Sequence, residues 1–423
     1  MRLKSGQAES LGDIADDVVG ICLYTNPGIE RAAAGRQLLR QVLRRKLSVV
    51  DRAWDFLTFA LSVVSADHVC VRRKSPDGWT REIDLEIAVV EPDFWNSQAG
   101  TLASALRFLT TDIWHLVFVP GGKAAPRQER IEVPSADSVT LLSGGLDSLI
   151  GVVDRWSAGA ETFAVSQTVR GDGAKQVDFA RKTCGLSNFL QLNHGVKVWG
   201  GREPSQRARS VGFMAFAVAV ATAVSGYRQG GTTPVYVCEN GFIAINPPLT
   251  PARIGGLSTR TAHPSFISNI QSVLDSAGLN VKLTNPYAEM TKGEMLAGCL
   301  DQDLIRAEAH RSTSCSRFLR YGYQHCGRCV PCQVRRASFV RWDVEDLTPY
   351  CYDDLGVDDG DHAGFDDVRA VAMALETIRR WGFDYWLGGA LEYGNIDPNS
   401  ELRQMVSRGM SELKGLHQMY DVK

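Results

Sequence analysis

Between residues 139 and 238 short, almost continuously apolar segments alternate with helical ones, and this alternation constrains the fold more than any other feature of the chain. Extended segments are predicted at Val139–Leu142, Thr162–Ser166, Phe189–Leu192 and Val235–Cys238. Helices are predicted over Ser148–Trp156, Ala174–Cys184 and Arg209–Tyr227. Strands without a polar face belong to a parallel sheet covered on both sides, so the expectation is an α/β core. The most apolar run, Phe213–Val224, is about half the length that spans a bilayer and is read as a buried helix.

The first strand runs directly into Leu142-Ser143-Gly144-Gly145-Leu146-Asp147-Ser148 and then a helix. Two glycines permit a tight turn and close approach of a ligand. The helix start that follows offers free N–H groups and the positive end of a dipole, a natural phosphate cradle. Ser143 and Ser148 add hydroxyls, and Asp147 suits a magnesium ion that neutralises a departing pyrophosphate. Plain fold punctuation is the competing explanation, but five defined positions in the right context argue against it. The Gly-x-x-x-x-Gly-Lys-Ser/Thr string of the large NTPase class does not occur.

Four of the ten cysteines fall together as Cys315-x10-Cys326-Gly-Arg-Cys329-Val-Pro-Cys332. Clustered cysteines in a reducing compartment bind metal more often than they form disulfides. Two Cys-x-x-Cys spacings sharing Cys329 can wrap a tetrahedral Zn²⁺ as a closed, structural site. The rival is a redox pair at Cys326 and Cys329, which does not need the other two cysteines. His310 and His325 are surplus to the four ligands and read as solvated or capping residues.

The flanks are less legible. Residues 1–134 read as a small α+β module, with helices over Glu30–Lys46 and Val50–Ser65, extended segments at His68–Arg73, Arg81–Val90 and Trp114–Val119, and a turn at Ser75-Pro-Asp-Gly78. The basic side of Glu30–Lys46 is read as a solvated face, with a partner or nucleic-acid contact as the alternative. Gly121–Pro134 has the composition of a linker. The core domain is placed at 135–342, with the cysteine knuckle at 315–332. A helical extension is placed at 343–423, carrying two amphipathic helices behind an acidic loop with Asp353, Asp354, Asp358, Asp359 and Asp361. Net charge is -2, which gives no global attraction to nucleic acid. The first residues lack the apolar stretch of a signal peptide, so the expected location is cytoplasmic and no membrane association is expected.

The loop sequence resembles the signature of the PP-loop ATP pyrophosphatases, whose fold is that of the adenine nucleotide alpha hydrolases. With the cysteine segment it is similar to the 7-cyano-7-deazaguanine synthase (QueC) family over residues 138–340. Gln206–Ala217 resembles that family's Arg-Asn helix start, with Ser210 in place of the asparagine. Asn285-Pro286 and Lys292-Gly-Glu294 resemble its proline-then-lysine segment, and Arg335 follows the knuckle at the family's spacing. The family's Tyr-Pro-Asp-Cys substrate segment stands here as Thr261-Ala-His263-Pro264-Ser-Phe266, which puts the acceptor side in doubt. The flanked form is similar to the QueC-like proteins of anti-phage defence operons, the Qat and type IV CBASS systems.

The resemblance implies ATP, Mg²⁺ and Zn²⁺ as cofactors and a 7-deazaguanine carboxylate as the adenylated substrate, with ammonia or an amine of an operon-encoded protein as acceptor. It assigns catalysis to Asp147, Ser148 and Lys292. ATP binding falls to Leu142, Ser143, Gly144, Gly145, Leu146, Asp147, Ser148, Ser166 and Arg209. Capping is the alternative for Ser166, and a surface ion pair for Arg209 and Lys292. Asn240, Arg260 and His263 become substrate-binding candidates, against a simple turn before Pro264. A homodimer is compatible with the resemblance, and the sequence does not fix the oligomeric state. Two other hypotheses are carried: an RNA-modifying enzyme with an essential Cys184 or Cys238, and a non-catalytic ATP-binding scaffold.

Overall fold

Two sheets organise the chain, and the space between them is filled by helices of both halves. In the computed structural model, residues 1–12, 14–25, 32–247, 249–250, 260–356, 367–391 and 401–422 are described. The first half runs β1 (Arg2–Gly6), α1 (Ala8–Leu11), β2 (Val18–Leu23), β3 (Ala32–Ala34), α2 (Arg36–Arg44), α3 (Asp51–Val69), β4 (Glu82–Ala88), α4 (Pro92–Thr110) and β5 (Ile113–Val119). The second runs β6 (Ser138–Leu141), α5 (Leu146–Ser157), β7 (Thr162–Gln167), α6 (Gly173–Lys182), β8 (Phe189–Leu192), β9 (Lys197–Val198), α7 (Arg209–Ala221), α8 (Ser225–Arg228), β10 (Thr233–Tyr236), α9 (Gly241–Ile245), α10 (Pro264–Ser276), β11 (Val281–Thr284), α11 (Lys292–Gly298), α12 (Gln302–Glu308) and α13 (Val330–Trp342). Three helices close the chain: α14 (Asp367–Trp381), α15 (Phe383–Leu391) and α16 (Glu401–Met419).

The second sheet has the order β11-β10-β6-β7-β8, parallel throughout, as the strand–helix alternation predicts. The first sheet has the order β5-β4-β1-β2-β3-β9. Its first five strands are parallel, so the segment expected as α+β is itself a parallel α/β layer. Its sixth strand, β9, comes from the other half of the chain and pairs antiparallel with β3.

Between the sheets α3 packs against α7 and α4 against α10, so α3 lies on β2, β3 and β4 while α7 lies on β6, β7 and β10. One apolar core runs from Ile21 and Phe56 through Phe216 to Val235. Each such buried side chain contributes about 1.5–3 kcal/mol. Helix α3 is buried on every face, which explains why it lacks amphipathic periodicity. The outer face of the second sheet is covered by α5, α11 and α12. Helices α9, α13, α14 and α16 share a separate core around Met405 and Val371.

Several local expectations change. The segment His68–Arg73 is not extended: it is the end of α3 and a 3-10 turn at Arg72–Lys74, which turns the Arg72 side chain toward buried Asp112. Glu30 and Arg31 lie outside the described residues, and the rest of the predicted basic helix divides into β3 and α2 at Gly35. Gly35 has φ 81°, and a Cβ there would stand 2.9 Å from Leu61 and Tyr24, so only glycine makes this corner. Asp358, Asp359 and Asp361 of the acidic loop also lie outside the described residues. Among the described residues, no helix is long and apolar enough to cross a membrane.

Candidate active site: a phosphate loop strapped to a cysteine cluster

The loop between β6 and α5 is held open by its own hydroxyls. Ser148 Oγ accepts from Ser143 N–H at 3.1 Å and donates to the Gly145 carbonyl at 3.0 Å, and it stands 2.9 Å from Ser143 Oγ. Gly144 has φ 91°, and a Cβ on it would come 3.1 Å from the Asp172 side chain. Gly145 caps α5 without a side-chain bond, which leaves the first helical N–H groups unclaimed by a cap. Gln176 Nε2 donates to the Ser143 carbonyl at 2.8 Å and to the Gln167 carbonyl at 3.0 Å, fixing the loop to the end of β7.

Asp147 and Lys292 form a buried ion pair through Asp147 Oδ1. Asp147 Oδ2 accepts from Asn240 N–H at 3.1 Å and from Asn240 Nδ2 at 2.7 Å. Lys292 is placed by local sequence. It opens α11 directly after Thr291, whose hydroxyl and the Glu294 carboxylate form a capping box. The Asn240 Oδ1 accepts from Ile243 N–H at 3.1 Å and caps α9, so both ends of this buried amide are already used. Ser166 Oγ donates to the Leu142 carbonyl and is fully buried, which spends its hydroxyl on joining β7 to the loop.

The four cysteine sulfurs lie within 4.8 Å of one another and all four residues are buried. Zinc held tetrahedrally at about 2.3 Å requires sulfurs about 3.8 Å apart. The Cys315–Cys329 and Cys326–Cys332 separations are both 3.9 Å, so the donor set fits. Backbone N–H groups of Cys326 and Cys329 point at Cys315 Sγ (3.4 Å) and Cys326 Sγ (3.2 Å), which favours thiolates. Cys315 ends a strap, Ser312–Cys315, that lies on the phosphate loop. Thr313 N–H donates to the Gly144 carbonyl at 3.0 Å, and Gly145 bridges Thr313. Thr313 Oγ1 donates to Asp172 Oδ1 at 2.7 Å and accepts from Lys175. His325, expected to be spare, is buried and accepts from Ser314 N–H at 3.1 Å. Arg335 is fully buried and donates to Ser312, Ser314 and the Ala309 carbonyl, fixing the same strap.

Loop, strap and α7 enclose a cavity of about 460 Å³. Ser143, Gly145 and Ser148 line one side, and Arg207, Arg209 and Ser210 another. Arg209 opens α7 on this wall and makes no hydrogen bond or ion pair among the described residues. Burial lowers its pKa, with Asp172 opposing. Glu239 also lines the cavity, and burial pushes its carboxyl up to about 7, with Asp147 adding and Lys292 opposing.

The approach to α7 is pinned by the first half of the chain. Asp67 Oδ2 accepts from Ala208 N–H at 2.9 Å, Glu203 Oε2 from Arg72 N–H at 2.8 Å, and Arg207 Nη1 donates to the Thr110 carbonyl at 2.8 Å and to Thr111 Oγ1 at 2.7 Å. Asp67 is itself paired with Arg81 at 2.6 Å, and Asp112 with Arg81 at 2.5 Å and Arg72 at 2.7 Å, all buried.

Residues 261–343 match the family model described as queuosine biosynthesis protein QueC. The 7-cyano-7-deazaguanine synthase of Methanocaldococcus jannaschii is 25% identical over 239 residues, 50% of this chain and 98% of the relative. Those of Caldicellulosiruptor bescii (24% over 229 residues, 50% and 96%) and Nostoc sp. (24% over 247 residues, 51% and 97%) are similar to the same extent. No solved structure matches.

The matched stretch contains Lys292 and all four cysteines, while the phosphate loop precedes it. Of the expected site residues, the structure brings Ser143, Gly145, Ser148 and Arg209 around one cavity, with Asp147 and Lys292 buried together. Arg260 donates to the Phe108 carbonyl at 3.1 Å and stacks over that ring. His263 caps α10, accepting from Ser265 N–H at 3.2 Å, and burial lowers its pKa to about 4. Sequence reasoning missed Glu239, Arg207, Asp172 and Thr313. The position of Glu239 just past a predicted strand of a parallel sheet was the one available signal for it, because ligands sit at such ends.

Proposed function

We propose that the chain adenylates the carboxylate of a 7-deazaguanine acid with ATP and passes the activated acyl group to an amine. The observation that carries the reading is the pairing across one cavity of a glycine-rich loop whose helical N–H groups no side chain caps with a guanidinium, Arg209, that has no partner among the described residues. Both stabilise negative charge, and the α,β-phosphoanhydride that breaks on adenylation leaves a pyrophosphate to be held. The similarity to the synthases supplies the substrate class. In this reading Ser143 and Ser148 shape the loop and Lys292 holds Asp147 in place. Asp147, whose Oδ1 is held by Lys292 and Oδ2 by Asn240, is the carboxylate that would hold a magnesium ion, which would neutralise charge on the departing pyrophosphate. The four cysteines would hold zinc, which would supply rigidity to the strap.

The acceptor in this reading is ammonia or a protein amine, and the setting is anti-phage defence; both rest on the resemblance of the flanked form alone. No second reading is favoured. The sulfur-transfer alternative needs a reactive Cys184 or Cys238, and burial raises the pKa of both thiols, which suppresses the thiolate. The test is pyrophosphate release from ATP with and without 7-carboxy-7-deazaguanine. Release that depends on the acid and is lost in Asp147→Asn supports adenylation. ATP binding without release for any deazaguanine acid overturns it.

A further inference from the structure

Glu239 follows β10 by three residues and stands on the cavity wall with its main chain fixed at both ends by one side chain. Asn285 Oδ1 accepts its N–H at 3.3 Å and Asn285 Nδ2 donates to its carbonyl at 2.8 Å. Its carboxylate accepts the backbone N–H of Ala262 and forms no ion pair among the described residues. Arg209, on the α7 wall, is a cation without an acid partner among the described residues. Among the described residues the cavity thus carries an acid and a cation that do not neutralise one another, and the acid has acceptor capacity beyond the one backbone N–H it receives. A ligand that suits both brings an anionic group for the cation and hydrogen-bond donors for the acid.

We propose that Glu239 is a specificity-determining residue that accepts the two adjacent N–H donors of a 2-aminopyrimidin-4-one edge, its ring N–H and exocyclic amine. A carboxylate offers two coplanar acceptors, and that edge offers two parallel donors, so the match is bidentate. A phosphate on the same spot is repelled by Glu239, and adenine's edge sets one donor beside an acceptor nitrogen. The identity of the ring rests on the adenylation reading. The placement of a donor-rich edge at Glu239 rests on the cavity.

The test is equilibrium binding of 7-deazaguanine and of 7-deazahypoxanthine, which lacks the exocyclic amine, to the full-length protein. The wild type is expected to prefer 7-deazaguanine by about tenfold or more. Glu239→Gln replaces one acceptor by a donor and is expected to bind 7-deazaguanine about 10- to 100-fold more weakly, without the preference. Glu239→Ala should behave alike, and both should keep zinc content. Selectivity that survives in both variants overturns the proposal. So does an unchanged base preference with a slowed amine-dependent step, which would assign Glu239 to the amine. Selective base binding with no acid-dependent pyrophosphate release sinks the adenylation reading and leaves this one standing. Release without a role for Glu239 does the reverse.

Discussion

The Asp67 carboxylate, at the end of a helix of the first sheet, accepts the backbone N–H of Ala208 at 2.9 Å, one residue before the cavity-facing Arg209. The first half of the chain is therefore the abutment of the cation wall. Asp67 is paired with buried Arg81, and removing one member of a buried pair strands the other. Asp67→Ala is expected to lower unfolding free energy by about 3–5 kcal/mol, read from urea denaturation. A loss below about 1 kcal/mol, the scale of a surface pair, would remove the abutment argument.

Arg207 gives a milder probe of the same link, because it anchors to Thr110 and Thr111 through one nitrogen. Arg207→Ala is expected to weaken ATP binding about tenfold, by letting Arg209 drift. The effect should vanish on an Arg209→Ala background, since a brace cannot matter once the braced group is gone. Additive losses in the double variant would show that Arg207 touches the nucleotide itself.

Gly144 adopts φ 91° against the Asp172 side chain, so any Cβ strains the loop and pushes on its neighbour. Gly144→Ala should abolish ATP-dependent pyrophosphate release with zinc content and thermal melting nearly unchanged. Gly159 has φ 77° but open space around its Cβ position. Gly159→Ala should leave activity intact, which separates crowding at the loop from backbone strain alone.

The second sheet and the phosphate loop were legible because strand alternation and a glycine turn are local signals. The cysteine cluster was legible because ligand spacing is written in the chain. What was hidden depends on distant partners. The strand β9 joins the first sheet from beyond residue 190, and a two-residue strand leaves no periodicity to read. The buried Asp67, Arg72, Arg81 and Asp112 look like surface charges in sequence, because nothing local says that they neutralise one another. Asn240 and His263 attract attention as polar residues near the expected substrate segment, yet their side chains cap α9 and α10.

The strap ties the cysteine cluster to the loop, so loss of a metal held there should be felt by a nucleotide bound at the loop. Cys315 is two residues from Thr313, whose N–H holds the Gly144 carbonyl at 3.0 Å. Stripping zinc with a chelator, or Cys329→Ser, is expected to lower ATP affinity about tenfold before the helices unfold, followed by titration with and without added zinc. Unchanged affinity in a folded, zinc-free protein would show the strap stands without metal.

The C-terminal helix places a titratable group against the helix that carries Lys292. Glu412 accepts from Thr291 Oγ1 at 2.5 Å. Burial pushes its carboxyl up to about 7; Glu294 adds to the rise, and Arg341 and the Thr291 hydroxyl oppose it. An acid with a raised pKa binds more protons folded than unfolded. Its contribution therefore favours the folded state below about pH 4.5, falls as pH rises, and reaches its lowest value above about pH 7. Denaturation between pH 5 and pH 8 should show wild type losing about 2–3 kcal/mol relative to Glu412→Gln, which keeps an acceptor for Thr291 without titrating. Comparing the two proteins cancels Glu239, whose shift has the same sign. Parallel pH profiles would show that Glu412 is ionised and solvated in the folded protein, and that α16 does not bury it against Lys292's helix.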